Sequence, residues 1–220
     1  MNIILDIKNL SKSYKHNVAL KDINLQFEMG KVYGLIGTNG SGKTTLIKSI
    51  LGFIHYCGEI IKSRDLSISY VPEIIKSYDY LTGLQTVKLI TQIQGFDLQE
   101  TTKRFQDNSP KINYYDEEKL IKQHSKGNLR KLMLLQVFSI NTDLMLLDEP
   151  FSGLDPLATE KIKDLFLEKK VHGTTILLST HQFEIAKSIC DELIFIKNGI
   201  VIEKIKKDNF NSIRLSDIFG

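Results

Sequence analysis

The sequence predicts an α/β protein: a mainly parallel sheet with helices on both faces, an antiparallel β subdomain and an α-helical insertion. Three observations carry this. Short, largely apolar runs such as Val32–Ile36, Leu144–Leu147 and Thr174–Ser179 alternate with helical stretches, the pattern of parallel strands buried on both faces. Ile3–Leu10 and Ile23–Phe27 alternate apolar and polar positions, as half-buried antiparallel strands do. From Leu84 to about Gln136 the texture is helical.

The elements follow in order. Val32–Ile36 is a short apolar strand ending at a glycine, and Lys43–Leu51 then sets Leu46, Ile47, Ile50 and Leu51 on one helix face. Ser67–Val71 reads as a strand stopped by Pro72. Leu84, Val87, Ile90 and Ile93 recur at helical spacing, and Gly95 marks the helix end. A helix over Leu157–Lys170 separates the strands Leu144–Leu147 and Thr174–Ser179. Asn198-Gly199, between Leu193–Lys197 and Ile200–Lys204, is a strong hairpin turn signal. No repeat or long linker interrupts the chain. The expected organisation is a single domain over 1–220, with core and β subdomain at about 1–73 and 137–220 and a helical subdomain at about 74–136.

Composition narrows the function classes. With 220 residues the chain suits one domain, and 42% hydrophobic with 25% charged residues excludes wholesale disorder. Apolar runs such as Leu144–Leu147 fall far short of the roughly 20 residues of a membrane span. Met1 to Leu10 carries Asp6 and Lys8 and lacks a cleavage-site pattern, so a cytoplasmic location is expected. Cys57 and Cys190 have neither pairing nor metal-ligand spacing. The net charge of +3, from 29 basic and 26 acidic residues, is too balanced to argue for nucleic acid, and no nucleic-acid partner is expected.

Two motifs carry chemistry. Gly37-Thr38-Asn39-Gly40-Ser41-Gly42-Lys43-Thr44 fits G-x-x-x-x-G-K-[ST] between a strand and a helix, with Thr45 next in line. A random match arises in about one chain of this length per hundred, and the flanking elements lower that further. Glycines let consecutive N–H groups curl around phosphate oxygens, and the helix N-terminus adds partial positive charge. Lys43 is expected on the β- and γ-phosphates and Thr44 on Mg²⁺. The second motif is Leu144–Leu147 followed by Asp148-Glu149-Pro150. Asp148, at a strand's carboxyl end, suits the Mg²⁺ shell, leaving Glu149 to polarise an attacking water. Together they are specific for a P-loop nucleoside triphosphatase that uses Mg²⁺, without yet specifying a family.

Ser125-Lys126-Gly127, upstream of Asp148, narrows the choice, and here the chain resembles the ATP-binding subunits of ABC transporters. The landmarks fall in that family's order over nearly the whole length: Tyr14, the phosphate loop, Tyr70-Val71-Pro72, the serine-glycine signature, the acidic strand, Ser152-Gly153-Leu154-Asp155, and His181 in Ser179-Thr180-His181. The resemblance implies that the nucleotide is ATP, Tyr14 stacks on adenine, His181 contacts the γ-phosphate, and Asp155 lies where two subunits meet. It implies that Ser125 and Gly127 close on the γ-phosphate held by the opposite subunit.

Two departures stand out. Glu73 occupies the position where the family usually has a glutamine that reaches the metal; a carboxylate can serve there too, or Glu73 simply opens the helical insertion. The usual Leu-Ser-Gly-Gly-Gln is His124-Ser125-Lys126-Gly127-Asn128. Both Glu73 and the Ser-Lys-Gly form are similar to the branch of drug, bacteriocin-immunity and polysaccharide exporters.

The implied protein is an ATP-hydrolysing motor subunit, with Lys43, Glu149 and His181 as catalytic groups. It pairs head to tail with a second ATP-binding subunit, identical or different, and drives a separate transmembrane permease. That would hold it on the inner face of the cell membrane. Export is the expected direction; import, or a soluble ABC-type ATPase acting on ribosomes or DNA, are the alternatives. Ile74, Ile75, Tyr78, Tyr80, Leu81 and Leu84 are candidates to meet the permease, with two or three expected to be exposed.

Overall fold

Every core-facing position of the central strands sorts by parity to one of two apolar clusters. In β3 (Val32–Ile36), Tyr33 and Leu35 face one cluster while Val32 and Ile36 face the other. The same split separates Leu144 and Leu146 from Met145 and Leu147 in β6 (Leu144–Asp148), and Leu177 from Ile176 and Leu178 in β7 (Thr175–Thr180). Period-two sorting with both faces buried is what a parallel sheet covered on each side requires. The computed structural model describes residues 2–219.

The chain opens with the antiparallel strands β1 (Ile3–Tyr14) and β2 (Asn17–Glu28), longer than their alternation predicts. Their register shifts more than once, and side chains satisfy the backbone nearby. Asn24 Oδ1 accepts from the Asn9 N–H and Ser11 Oγ from the Asp22 N–H, each at 2.9 Å. Strand β4 (Cys57–Lys62) completes a three-stranded sheet in the order β2-β1-β4. Sequence patterning misses β4 because only Ile60 is even half-buried, so no alternation marks it.

The second sheet runs β5-β6-β7-β3-β8-β9, with β5 at Ile68–Val71, β8 at Glu192–Lys197 and β9 at Ile200–Lys206. All pairings are parallel except β8 with β9, the hairpin that Asn198-Gly199 predicts. Helix α1 (Lys43–Ile50) buries Leu46, Ile47 and Ile50 among residues of β1 and β2. The opposite face is covered by α4 (Lys126–Ser139), α5 (Pro156–Val171) and α6 (Phe183–Ile189).

The stretch from 83 to 139 is helical but broken. Helix α2 (Gly83–Ile93) starts on a capping box between Thr82 and Gln85 and stops before Gly95, whose φ is 74°. Asp97 caps α3 (Leu98–Asn108), and Ser125 caps α4. Between α3 and α4 lie two single 3₁₀ turns, within the stretch whose texture reads as helical. Helix α4 passes the expected boundary at 136 and packs Phe138 on Phe166 of α5. Helix α6 and the terminal α7 (Leu215–Phe219) were not foreseen; each is short and weakly periodic.

Candidate functional site: a phosphate loop beside two buried carboxylates

The strand order β6-β7-β3 gathers three carboxyl ends. Asp148 pairs with Ser179, and Ile36 with Thr180. The loop 37–42 leaves β3 here and feeds α1, whose N-terminus carries partial positive charge. Two glycines are sterically required. A Cβ on Gly37 would lie 2.4 Å from the Ile196 carbonyl oxygen and 2.5 Å from Ser41 Oγ. Gly42 has a φ of 113°, a left-handed conformation that only glycine takes cheaply.

Lys43 is 6% exposed, and its ammonium folds onto the loop. It donates to the carbonyls of Gly37 at 2.8 Å and Thr38 at 3.1 Å. Thr44 Oγ1 donates to Asp148 Oδ2 at 2.6 Å, while Ser179 Oγ holds Asp148 Oδ1. Glu149 follows in a left-handed conformation, φ 50°, an unusual state for a side chain with a Cβ. Its carboxylate is buried and neither oxygen has a hydrogen-bond partner. Lys43 Nζ lies 3.8 Å from one oxygen, close enough for charge attraction but too far for a hydrogen bond, and His181 Nδ1 lies 3.1 Å from the other without hydrogen-bond alignment. Ser41 Oγ is likewise buried and unpartnered.

A cleft of about 300 Å³ is lined by Ala19, Asn39, Gly40, Gly42, Lys43, Thr44, Thr45, Glu73, Asp148 and Glu149. Its ionic groups are one ammonium and three carboxylates, with N–H groups of a helix start between them. Such a wall fits a triphosphate accompanied by a hard, oxygen-seeking cation. Thr44, Asp148 and Glu73 are the oxygen donors that could hold that cation. No cluster of three or more His, Cys, Asp or Glu suited to a metal occurs among the described residues, so a cation held here would draw on phosphate and water oxygens as well. A second cleft, about 510 Å³, lies at the far end of the sheet near Arg104 and Lys169 and contains none of the predicted site residues.

The remaining predicted residues sit elsewhere. Tyr14 is 45% exposed at the end of β1, with Lys12 Nζ 4.8 Å from its ring centre. Ser125 and Gly127 are outside the cleft. Ser125 is exposed and its Oγ accepts from the Asn128 N–H at 3.1 Å. A Cβ on Gly127 would stand 3.0 Å from the Gly153 carbonyl oxygen, so the serine-glycine loop abuts the loop leading to Asp155. Asp155 caps α5 by accepting from the Ala158 N–H at 2.8 Å, and that hydrogen bond holds its carboxyl below the usual range. Of the six permease candidates, Ile74, Tyr78 and Tyr80 are exposed.

Sequence reasoning missed the side chains that brace these loops. Arg130 is buried and donates to the carbonyls of Pro72 and Glu73. His124 shares a 2.9 Å hydrogen bond with Tyr114 Oη, and Asn128 donates to Asp116. The charged pair Arg130-Lys131 set between Leu129 and Leu132 was the available signal.

Comparison with known proteins matches this arrangement. The model of the ABC transporter family matches residues 20–152. The ABC transporter ATP-binding protein YthP of Bacillus subtilis is 36% identical over 182 residues, 82% of this chain and 77% of that protein. The lantibiotic transport ATP-binding protein SrtF of Streptococcus pyogenes is 31% identical over 225 residues, 99% of this chain and 96% of that one. A solved ATP-binding subunit of an ABC transporter superposes with a TM-score of 0.89 at 29% identity, covering 98% of both chains. A dimeric cassette in a post-hydrolysis state, bound to ADP and phosphate, superposes at 0.83 with 25% identity, over 93% of this chain and 99% of that one. The buried lysine on its glycine loop, the paired carboxylates and these relatives converge: the chain belongs to the ABC transporter family as an ATP-binding, ATP-hydrolysing subunit.

Proposed function

We propose that this chain is the motor of an exporter, closing head to tail on a second ATP-binding subunit around shared ATP and driving a separate membrane permease. The observation that carries the reading is the Glu149 carboxylate. It is buried, unbonded, and lies between Lys43 and His181 at the rim of the phosphate loop. Both of its oxygens are free of donors and stand beside the phosphate loop, the placement a base acting on water needs.

In this reading Lys43 exchanges its loop carbonyls for the β- and γ-phosphates, a charge-assisted and therefore stronger set of partners. The loop N–H groups from Gly37 to Thr45 cradle the phosphates. Thr44 and Asp148, already bonded to each other, and Glu73 in the same cleft are the residues that would hold a magnesium ion, which when bound would supply charge neutralisation at the phosphate oxygens. His181, 3.1 Å from the Glu149 carboxylate, flanks the base and meets the γ-phosphate. Tyr14 stacks on adenine.

Ser125, Gly127 and Asp155 serve the opposite subunit. Ser125 is exposed and lies off this chain's own cleft, so its hydroxyl is available to a neighbour. Hydrolysis then removes the contact that holds the pair shut, the order-to-release logic of nucleotide switches. No described helix is long and apolar enough to cross a membrane. A permease partner would supply the span and hold the chain at the inner membrane face, with Ile74, Tyr78 and Tyr80 as its landing surface. Export is supported by the relative named for lantibiotic transport and by Glu73 with the Ser-Lys-Gly signature.

The test is dimerisation of Glu149→Gln with saturating MgATP, followed by light scattering. A stable dimer in this variant, with a monomeric wild type under turnover, is the expected result. A monomeric variant would overturn the head-to-tail reading.

A further inference from the structure

Arg130 sits on α4, one and a half turns beyond Ser125, and is 5% exposed. Its Nη1 donates to the Pro72 carbonyl at 2.8 Å and its Nη2 to the Glu73 carbonyl at 2.5 Å. Among the described residues no carboxylate comes within ion-pair distance of it. Burial pushes its pKa down, while the charges of Glu73, Asp148 and Glu149 favour the guanidinium. A planar fork gripping two successive carbonyls fixes both the position and the direction of that backbone. The turn after β5 is therefore bolted to α4.

The two ends of this bolt serve different clefts. Glu73 lines the cleft of this chain's Lys43. Ser125, which caps α4, lies outside it. On the next residue, Lys131 Nζ donates to the Asn113 carbonyl at 3.3 Å and lies 3.8 Å from Asp155 Oδ2. One turn of α4 thus holds the Glu73 turn on one side and the Asp155 loop on the other.

We propose that Arg130 is a positioning residue that makes the Glu73 turn and the Ser125 end of α4 move as one body, so that nucleotide entering one cleft re-aims the surface offered to the opposite subunit. The consequence for the opposite subunit rests on the head-to-tail reading. The link itself lies within one chain and is testable there.

The experiment is backbone hydrogen exchange on the full chain with and without MgADP, at a dilution where light scattering reports monomer. Exchange in 125–131 is expected to slow about as much as in 72–76, by several-fold, although no signature residue lines the cleft. Arg130→Met should confine the change to 72–76, and Arg130→Lys, with a single-point donor, should restore only part of it. A wild-type response confined to 37–45 and 72–76 overturns the proposal without any variant having to fold. An Arg130→Met response equal to wild type in 125–131 overturns it as well. In the Glu149→Gln background, Arg130→Met should weaken the MgATP dimer at least tenfold. Equal dimerisation of the two contradicts the proposal, whereas absence of a dimer in Glu149→Gln alone strikes only the head-to-tail reading.

Discussion

The phosphate-loop end of the sheet and the Ser125 face of α4 are built by different physics. At the loop, polar groups are taken out of water and held by the fold itself. Lys43 at the start of α1, Asp148 at the end of β6 and Glu149 just beyond it are each at most 6% exposed. On the signature face, Ser125 is exposed and Asn128 half-buried, and side chains brace the backbone: His124 on Tyr114, Asn128 on Asp116, Gly127 under Gly153. In the proposed function, the first region receives the nucleotide and the second waits for a partner chain. Burying carboxylate oxygens without hydrogen-bond donors costs free energy that a bound ligand can offset, whereas an exposed serine that caps a helix costs almost nothing to keep in place.

That contrast is open to breakage by substitution. The largest effect is expected for Glu149→Gln, which keeps shape and burial but removes the base. Phosphate release should fall about 10²- to 10⁴-fold with nucleotide binding retained, and unchanged turnover would remove Glu149 from the chemistry. Lys43→Ala comes next. Loss of hydrogen bonds to a charged ligand predicts a drop in ATP affinity of roughly 10- to 100-fold, read by calorimetry on the isolated chain. Ser125→Ala should act the other way round. It removes a helix cap, at about 1 kcal/mol of stability, and should lower turnover while leaving single-chain ATP affinity untouched. Equal loss of affinity in Ser125→Ala and Lys43→Ala would erase the distinction between the two faces.

The smallest effect sharpens the rule about burial. Lys169, far from the loop, donates to the Ile140 carbonyl at 2.6 Å, and burial lowers its pKa from 10.5 to about 8. Below pH 8 both folded and unfolded chains carry the proton, and the penalty of burying the charge is fully present. Between about 8 and 10.5 the unfolded chain binds more protons, so stability rises with pH. The unfolding free energy of wild type minus that of Lys169→Met should therefore rise across that window. Subtraction cancels the opposing contribution of Tyr33, whose pKa burial raises to about 12. A flat difference would mean that Lys169 is not desolvated.

What was legible in the sequence follows the same division. The phosphate loop and Asp148-Glu149 could be read because strand, loop and helix are contiguous, so residue order fixes their neighbourhood. The hairpin at Asn198-Gly199 was legible for the same reason. Contacts that close over long separations were not. Arg130 reaches back to Pro72 and Glu73, and Ser179 reaches Asp148, only once the sheet has assembled. Glu149's left-handed backbone has no signature in residue type. Strand β4 escaped because an exposed edge needs no apolar alternation.

The central claim is that each working site takes its cradle from one chain and its lid from another. Mixing Lys43→Ala with Ser125→Asp, each expected to be nearly inactive alone, tests it most directly. A head-to-tail pair formed from one of each contains one site with intact loop and intact signature, so ATPase activity should reappear on mixing. If both variants are folded and the mixture stays as inactive as its parts, loop and signature do not meet across a subunit boundary.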